Sequence, residues 1–154
     1  RTGVNIAPET LAELSKIDNI VAVKEASGDI SQVAKIAALC GDRLDIYSGN
    51  DDQIIPVLAL GGVGVISVLS NVAPRLTHDM VMDYLNGNTE KALATQLSVL
   101  DLVDALFCEV NPIPVKTAMN LMGYNAGPLR LPLCEMEEKN LEILKAALKH
   151  HNLI

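Results

Sequence analysis

Three times within its first 87 residues the chain passes through an apolar strand, a turn and an amphipathic helix, and that repetition restricts it to one kind of sheet. The strands are read over Ile20-Val21-Ala22-Val23-Lys24-Glu25-Ala26, Leu44-Asp45-Ile46-Tyr47-Ser48 and Gly64-Val65-Ile66-Ser67-Val68. The first has no polar alternation before Lys24, as expected of a strand covered on both faces. A helix opens at Pro8 with Glu9 to Ile17 behind it, and a second spans 30–39, capped by Asp29 or Ser31 and stopped by Gly41. A third runs to the stop at Gly61-Gly62, with Pro56 expected to bend it, and a fourth spans 74–85 before Asn86-Gly87. Successive units of about 20 to 25 residues predict a parallel sheet with crossover helices, an α/β fold.

After Gly87 the strands stop. Residues 89–107 read as one long helix with Leu93, Leu97, Leu100, Val103 and Phe107 as its buried stripe. Asn111-Pro112-Ile113-Pro114 reads as a rigid turn, 115–122 as a short helix ended by Gly123, and 136–150 as a final helix with Leu141, Leu144 and Leu148 aligned. Two regions are therefore expected, an α/β part over 1–87 and a helical part over 88–154. No flexible linker separates them, so they should pack together.

The composition excludes several classes of function. With 154 residues, 49% hydrophobic, the chain can bury a core. A net charge of -7 with 3% aromatic residues and no Trp argues against nucleic acid. No stretch approaches the roughly 20 apolar residues of a membrane span. Arg1-Thr2-Gly3-Val4-Asn5 lacks the apolar block of a secretory signal, so a cytoplasmic protein is expected. Cys40, Cys108 and Cys134 stand too far apart in sequence for a zinc motif and read as reduced thiols buried like small hydrophobes. His78, His150 and His151 read as solvated side chains without a partner at ligand spacing, so neither metal nor cofactor is expected. Gly61-Gly62-Val63-Gly64 precedes a strand and is followed by no Lys-Ser/Thr pair, which makes it a helix stop and not a phosphate cradle.

Lys24 is the group that needs a chemical explanation. Side-chain alternation puts Ile20, Ala22 and Lys24 on one face of the first strand and Val21 and Val23 on the other. With the valines against helices, the amine points away from them at the carboxyl end of the strand. One reading is a strand-end lysine snorkelling to solvent. The other is a nucleophile: only a neutral amine attacks a ketone, and at a pKa of about 10.4 roughly one lysine in a few thousand is neutral at pH 7. For that role the amine is expected to be desolvated at the apolar strand end, with like charge from a nearby Arg1 favouring its neutral form. Three parallel strands alone leave two open edges and an uncovered face, so the chain is expected to be part of a larger sheet.

Five blocks then carry a family resemblance: Arg1-Thr2-Gly3, Val23-Lys24-Glu25-Ala26-Ser27-Gly28, Ser48-Gly49-Asn50-Asp51, Gly61-Gly62-Val63-Gly64-Val65-Ile66-Ser67-Val68 and Asn111-Pro112-Ile113-Pro114-Val115-Lys116. In this order they resemble the C-terminal half of the dihydrodipicolinate synthase family. The resemblance implies a (β/α)8 TIM barrel, of which this chain holds strands six to eight and a C-terminal helical domain, the missing N-terminal half-barrel supplying the rest. It implies that Lys24 forms a Schiff base with pyruvate, that the enamine attacks aspartate semialdehyde, and that the product enters lysine and diaminopimelate biosynthesis. Arg1 would grip the carboxylate of the aldehyde, Gly49 would let backbone approach the ligand, and Ile66 would act through its main-chain carbonyl. A homotetramer is implied. Sibling pyruvate-dependent aldolases such as N-acetylneuraminate lyase, and a non-catalytic half-barrel module, are the alternatives.

Overall fold

The structure, a computed structural model, describes residues 2–154. β1 (Ala22–Glu25), β2 (Asp45–Ser48) and β3 (Gly64–Val65) form one parallel sheet in chain order. Lys24 pairs with Tyr47, and Tyr47 in turn with Gly64, so these three lie in one row across the sheet. The expected βα alternation is present, in the expected order.

Local chemistry accounts for the helix ends. α1 (Pro8–Leu14) begins on its proline, whose missing N–H costs nothing in a first turn. α2 (Ile30–Cys40) is capped by the Asp29 carboxylate, which accepts from the amides of Ser31 at 2.8 Å and Gln32 at 3.3 Å. Gly41 ends it with φ 55°. Past β2 the chain makes a 3-10 turn over Asp51–Gln53 before α3 (Ile54–Ala59). Pro56 therefore falls in the first turn of α3, where no intrahelical N–H bond is lost, and the bend expected of it is not needed. β3 is two residues long where five were expected, and a 3-10 turn over Leu69–Asn71 leads to α4 (Pro74–Leu85).

The long helix expected over 89–107 is two, α5 (Thr89–Ser98) and α6 (Leu100–Phe107), interrupted at Val99 with ψ near 3°. Leu93, Leu97 and Phe107 of the expected stripe are exposed, and the buried face is Ala92, Gln96, Val99, Leu102, Val103 and Leu106. The sequence carries two apolar stripes one residue apart, and Gln96 decides between them. Its amide donates to the Asp51 carbonyl at 2.8 Å and its oxygen accepts from the Ile55 amide at 3.2 Å, satisfying an N–H that the first turn of α3 leaves orphaned. A hydrophobic pattern counts glutamine as solvent-facing; this one is buried with both its amide nitrogen and its amide oxygen bonded.

α7 (Ile113–Leu121) starts two residues before its expected position because Pro114 fits a helical first turn. α8 (Glu138–His150) follows an irregular stretch. Of its expected stripe, Leu144 and Leu148 are fully buried and Leu141 is partly so. Two cores result. The smaller joins Leu11, Val33, Ile36, Cys40 and Ile46, and the larger runs from Ile54 and Leu58 of α3 through Met80, Leu102 and Leu106 to Leu144 and Leu148. Because α3 contributes Val57 to one and Ile54 to the other, the helical part is packed on the α/β part through a shared element. No described helix is long and apolar enough to cross a membrane.

Candidate functional site

Lys24 lies next to last in β1, and alternation sorts the strand as chemistry requires. Val23 packs into the smaller core and Glu25 is buried on the same side, while Ala22 and Lys24 are exposed on the other face. Ile20 and Val21 depart from the expected sorting because the strand begins only at Ala22: Ile20 joins the core behind the sheet and Val21 is exposed. The amine itself is exposed where burial was expected. Among the described residues no layer covers the face it occupies, so desolvation has to come from outside these strands. Among the described residues no hydrogen bond or ion pair engages its Nζ.

The buried neighbour Glu25 was not singled out by sequence reasoning, yet it fixes the strand end that carries Lys24. Its carboxylate accepts from the Ser27 amide at 2.6 Å and from the Gln32 side chain at 2.9 Å. Gln32 and Asn5 exchange two further bonds, at 2.7 and 3.0 Å, tying α2 and the N-terminal segment to the same acid. Charge-assisted bonds of this kind resist rearrangement. A signal was available: one residue from an outward lysine, an acid on the core side of a strand must find donors.

Gly49 is brought directly against Lys24. A Cβ at this position would lie 2.9 Å from Lys24 Cε, 2.5 Å from Ala26 Cβ and 3.0 Å from the Glu25 carbonyl oxygen, so only glycine fits. Its own amide donates to that Glu25 carbonyl at 2.7 Å. Ile66 joins from the far side of β2: its amide donates to the Ser48 carbonyl at 2.8 Å, and its side chain is half exposed. The Asp51 carboxylate accepts from the amides of Val68 and Leu69, both at 2.9 Å, and so sets the course of the loop after Ile66. Lys24, Gly49 and Ile66 thus gather at the carboxyl ends of three parallel strands, where parallel α/β sheets place their ligands. Arg1 lies outside the described residues.

A groove of about 430 Å³ runs along the outer edge of β1, lined by Val4, Ile6, Leu11, Val23, Lys24 and Ala26 among others. A larger one of about 580 Å³ lies between α7 and the segment before α8, away from the lysine. There Lys116, from the last of the five sequence blocks, donates to the Pro128 carbonyl at 2.7 Å and holds that segment to α7.

The cysteines and histidines meet expectation only in part. Cys40 is buried, but Cys108 and Cys134 are exposed free thiols. His78 bonds its neighbour Asp79, and His150 and His151 both meet Asp101 across the helical part, a convergence that spacing along the chain concealed. The Asp101 carboxyl is partly buried, which opposes its ionisation, but bonds from the two imidazoles outweigh this and hold its pKa at about 2.

Comparison with known proteins follows the same geometry. The model of the dihydrodipicolinate synthetase family matches residues 1–151. A 4-hydroxy-tetrahydrodipicolinate synthase of Clostridium acetobutylicum is 63% identical over 154 residues, covering 100% of this chain and 53% of that protein. The crystal structure of dihydrodipicolinate synthase from Thermotoga maritima superposes with a TM-score of 0.96 at 44% identity, over 100% of this chain and 54% of the other. That of the chloride-inhibited Acinetobacter baumannii enzyme complexed with pyruvate gives 0.95 at 34% identity, over 100% and 53%. The chain spans about half the length of the curated relatives it matches.

Proposed function

The chain belongs to the dihydrodipicolinate synthetase family, and from that premise we propose that it carries the Schiff-base half of a 4-hydroxy-tetrahydrodipicolinate synthase. Lys24 adds its amine to the ketone carbon of pyruvate, water leaves, and an imine remains. Loss of a methyl proton converts the imine to an enamine, whose carbon attacks the aldehyde of aspartate semialdehyde. Gly49 keeps the lysine stem in line by leaving no side chain beside Cε, and the main chain at Ile66 borders the ketoacid. Arg1 binds the carboxylate of the aldehyde substrate, for which a planar guanidinium is suited. In this reading 1–87 is the C-terminal half of a (β/α)8 barrel and 88–154 the helical domain behind it. The N-terminal half-barrel covers the exposed Lys24 face and excludes water from it, and the assembled protein is a cytoplasmic homotetramer.

One observation carries the reading: an amine without a counter-ion among the described residues stands at the carboxyl end of a parallel sheet, against a glycine that admits no Cβ. The test is borohydride reduction of the assembled protein in the presence of pyruvate, followed by peptide mass spectrometry. The mass of one reduced pyruvate is expected on the peptide containing Lys24. An unmodified Lys24 in a sample that still turns over rules the proposal out.

A further inference from the structure

Away from the sheet, Asp101 at the start of α6 meets both histidines that end α8. His150 Nδ1 lies 2.7 Å from Asp101 Oδ2, and His151 Nε2 lies 2.8 Å from Asp101 Oδ1. The potential donor atoms of all three residues fall within 4.8 Å of one another. The helices beneath them are fixed by fully buried Leu102, Leu106, Leu144 and Leu148, so the convergence belongs to the helix packing and not to a loop. The rings are not stacked: their centroids are 4.8 Å apart and their planes tilt by 54°.

We propose that Asp101, His150 and His151 form a binding site for a divalent transition-metal ion of the zinc, nickel or copper type. Two imidazole nitrogens and one carboxylate oxygen match the borderline preferences of these ions, whereas magnesium and calcium favour oxygen throughout. Three protein ligands leave positions for water. Zinc bonds nitrogen at about 2.0–2.1 Å, which brings tetrahedral neighbours to roughly 3.4 Å, so the two His–Asp pairs, now at 2.7 and 2.8 Å, have to open by about half an ångström while the widest separation in the cluster, within 4.8 Å, closes. Exposure permits this: His150 is 70% and Asp101 45% exposed, while His151, at 14%, is the anchored member. Binding replaces the two hydrogen bonds with metal bonds, and a proton borne by a nitrogen facing the carboxylate passes to solvent. Asp101 is already ionised at neutral pH. The ion would clip the end of α8 to α6, far in sequence from Lys24, and act on stability without entering the condensation.

The experiment is calorimetric titration of zinc chloride into the full-length protein after chelation and dialysis, beside the variants His150→Gln and Asp101→Asn. One zinc per chain is expected, with affinity weakened more than about tenfold in each variant. Zinc should raise the melting midpoint of the wild type by a few degrees and of neither variant. His150 is exposed enough for His150→Gln to fold, which the metal-free melting midpoint checks, and pyruvate condensation should be unchanged in it. No zinc uptake by the wild type, or uptake undiminished in His150→Gln, overturns the proposal; in the second case the exposed Cys108 and Cys134 become the ligands to test.

Discussion

The two ends of this molecule differ in what holds them. Around Lys24 the outer face of the sheet is open, and its order comes from a small apolar core behind it together with polar bonds: the Glu25–Gln32–Asn5 chain and the backbone contacts of Gly49. In the helical part order comes from burial, with Leu102, Leu106, Leu144 and Leu148 wholly removed from water. Each such leucine contributes roughly 1.5–3 kcal/mol relative to exposure. The larger core therefore lies in the helical part, and the exposed amine stands beside the smaller one. The Asp51–Gln96 contact joins the two, binding the turn after β2 to α5.

If this division is sound, the largest effect comes from Lys24→Arg, which keeps the charge and removes the usable amine. Turnover should fall by at least about 10³-fold with the melting midpoint nearly unchanged; retained activity would break the comparison on the catalytic side. Next, Leu148→Ala should cost about 2–5 kcal/mol in urea unfolding of the assembled protein, with kcat per folded molecule preserved. A loss of kcat without loss of stability would show that the helical part acts on the site directly. Third, Gly49→Ala drives a methyl into Lys24 Cε and backbone, and a displacement near 1 Å should lower kcat/KM by about 10²-fold while pyruvate remains able to react. Rates of imine formation, measured by borohydride trapping, separate this from unfolding.

The smallest effect concerns acid. Because the folded pKa of Asp101 is depressed to about 2, its contribution is complete above the unfolded carboxyl range, near pH 4, and is lost as pH falls through about 2. Solvent screening at a side chain 45% exposed keeps that contribution below about 1 kcal/mol. Urea midpoints measured across this interval should slope less in Asp101→Asn than in the wild type. Equal slopes would remove Asp101 from the stability of the helical part.

Much of this could be read along the chain because it rests on neighbours in sequence. The Asp29 cap, the Gly41 stop and the placement of Lys24 opposite Val23 depend on residues at most a few positions apart. Of the candidate site, the outward placement of Lys24 could be read from strand alternation, whereas Gly49 and Ile66 entered only through the family resemblance. The errors arose where a residue's surroundings come from afar. Pro56 was misjudged because the 3-10 turn before it shifts it into a first turn, and Leu93 and Leu97 because Gln96 won the buried face through bonds to residues more than 40 positions away. Lys24 was expected dry, but the walls that would dry it are not among these three strands.

By itself the sequence determined the βα alternation of the first 87 residues, the Asp29 cap and Gly41 stop of α2, and which strand face bears the amine, because periodicity and capping are local. The tertiary structure alone decided which of two apolar stripes lies inside, that Glu25 anchors the end of β1 from behind, and that two histidines reach an aspartate 49 and 50 positions away. Those outcomes depend on how helices dock, and docking is settled by the sum of many weak contacts that no short stretch of chain encodes.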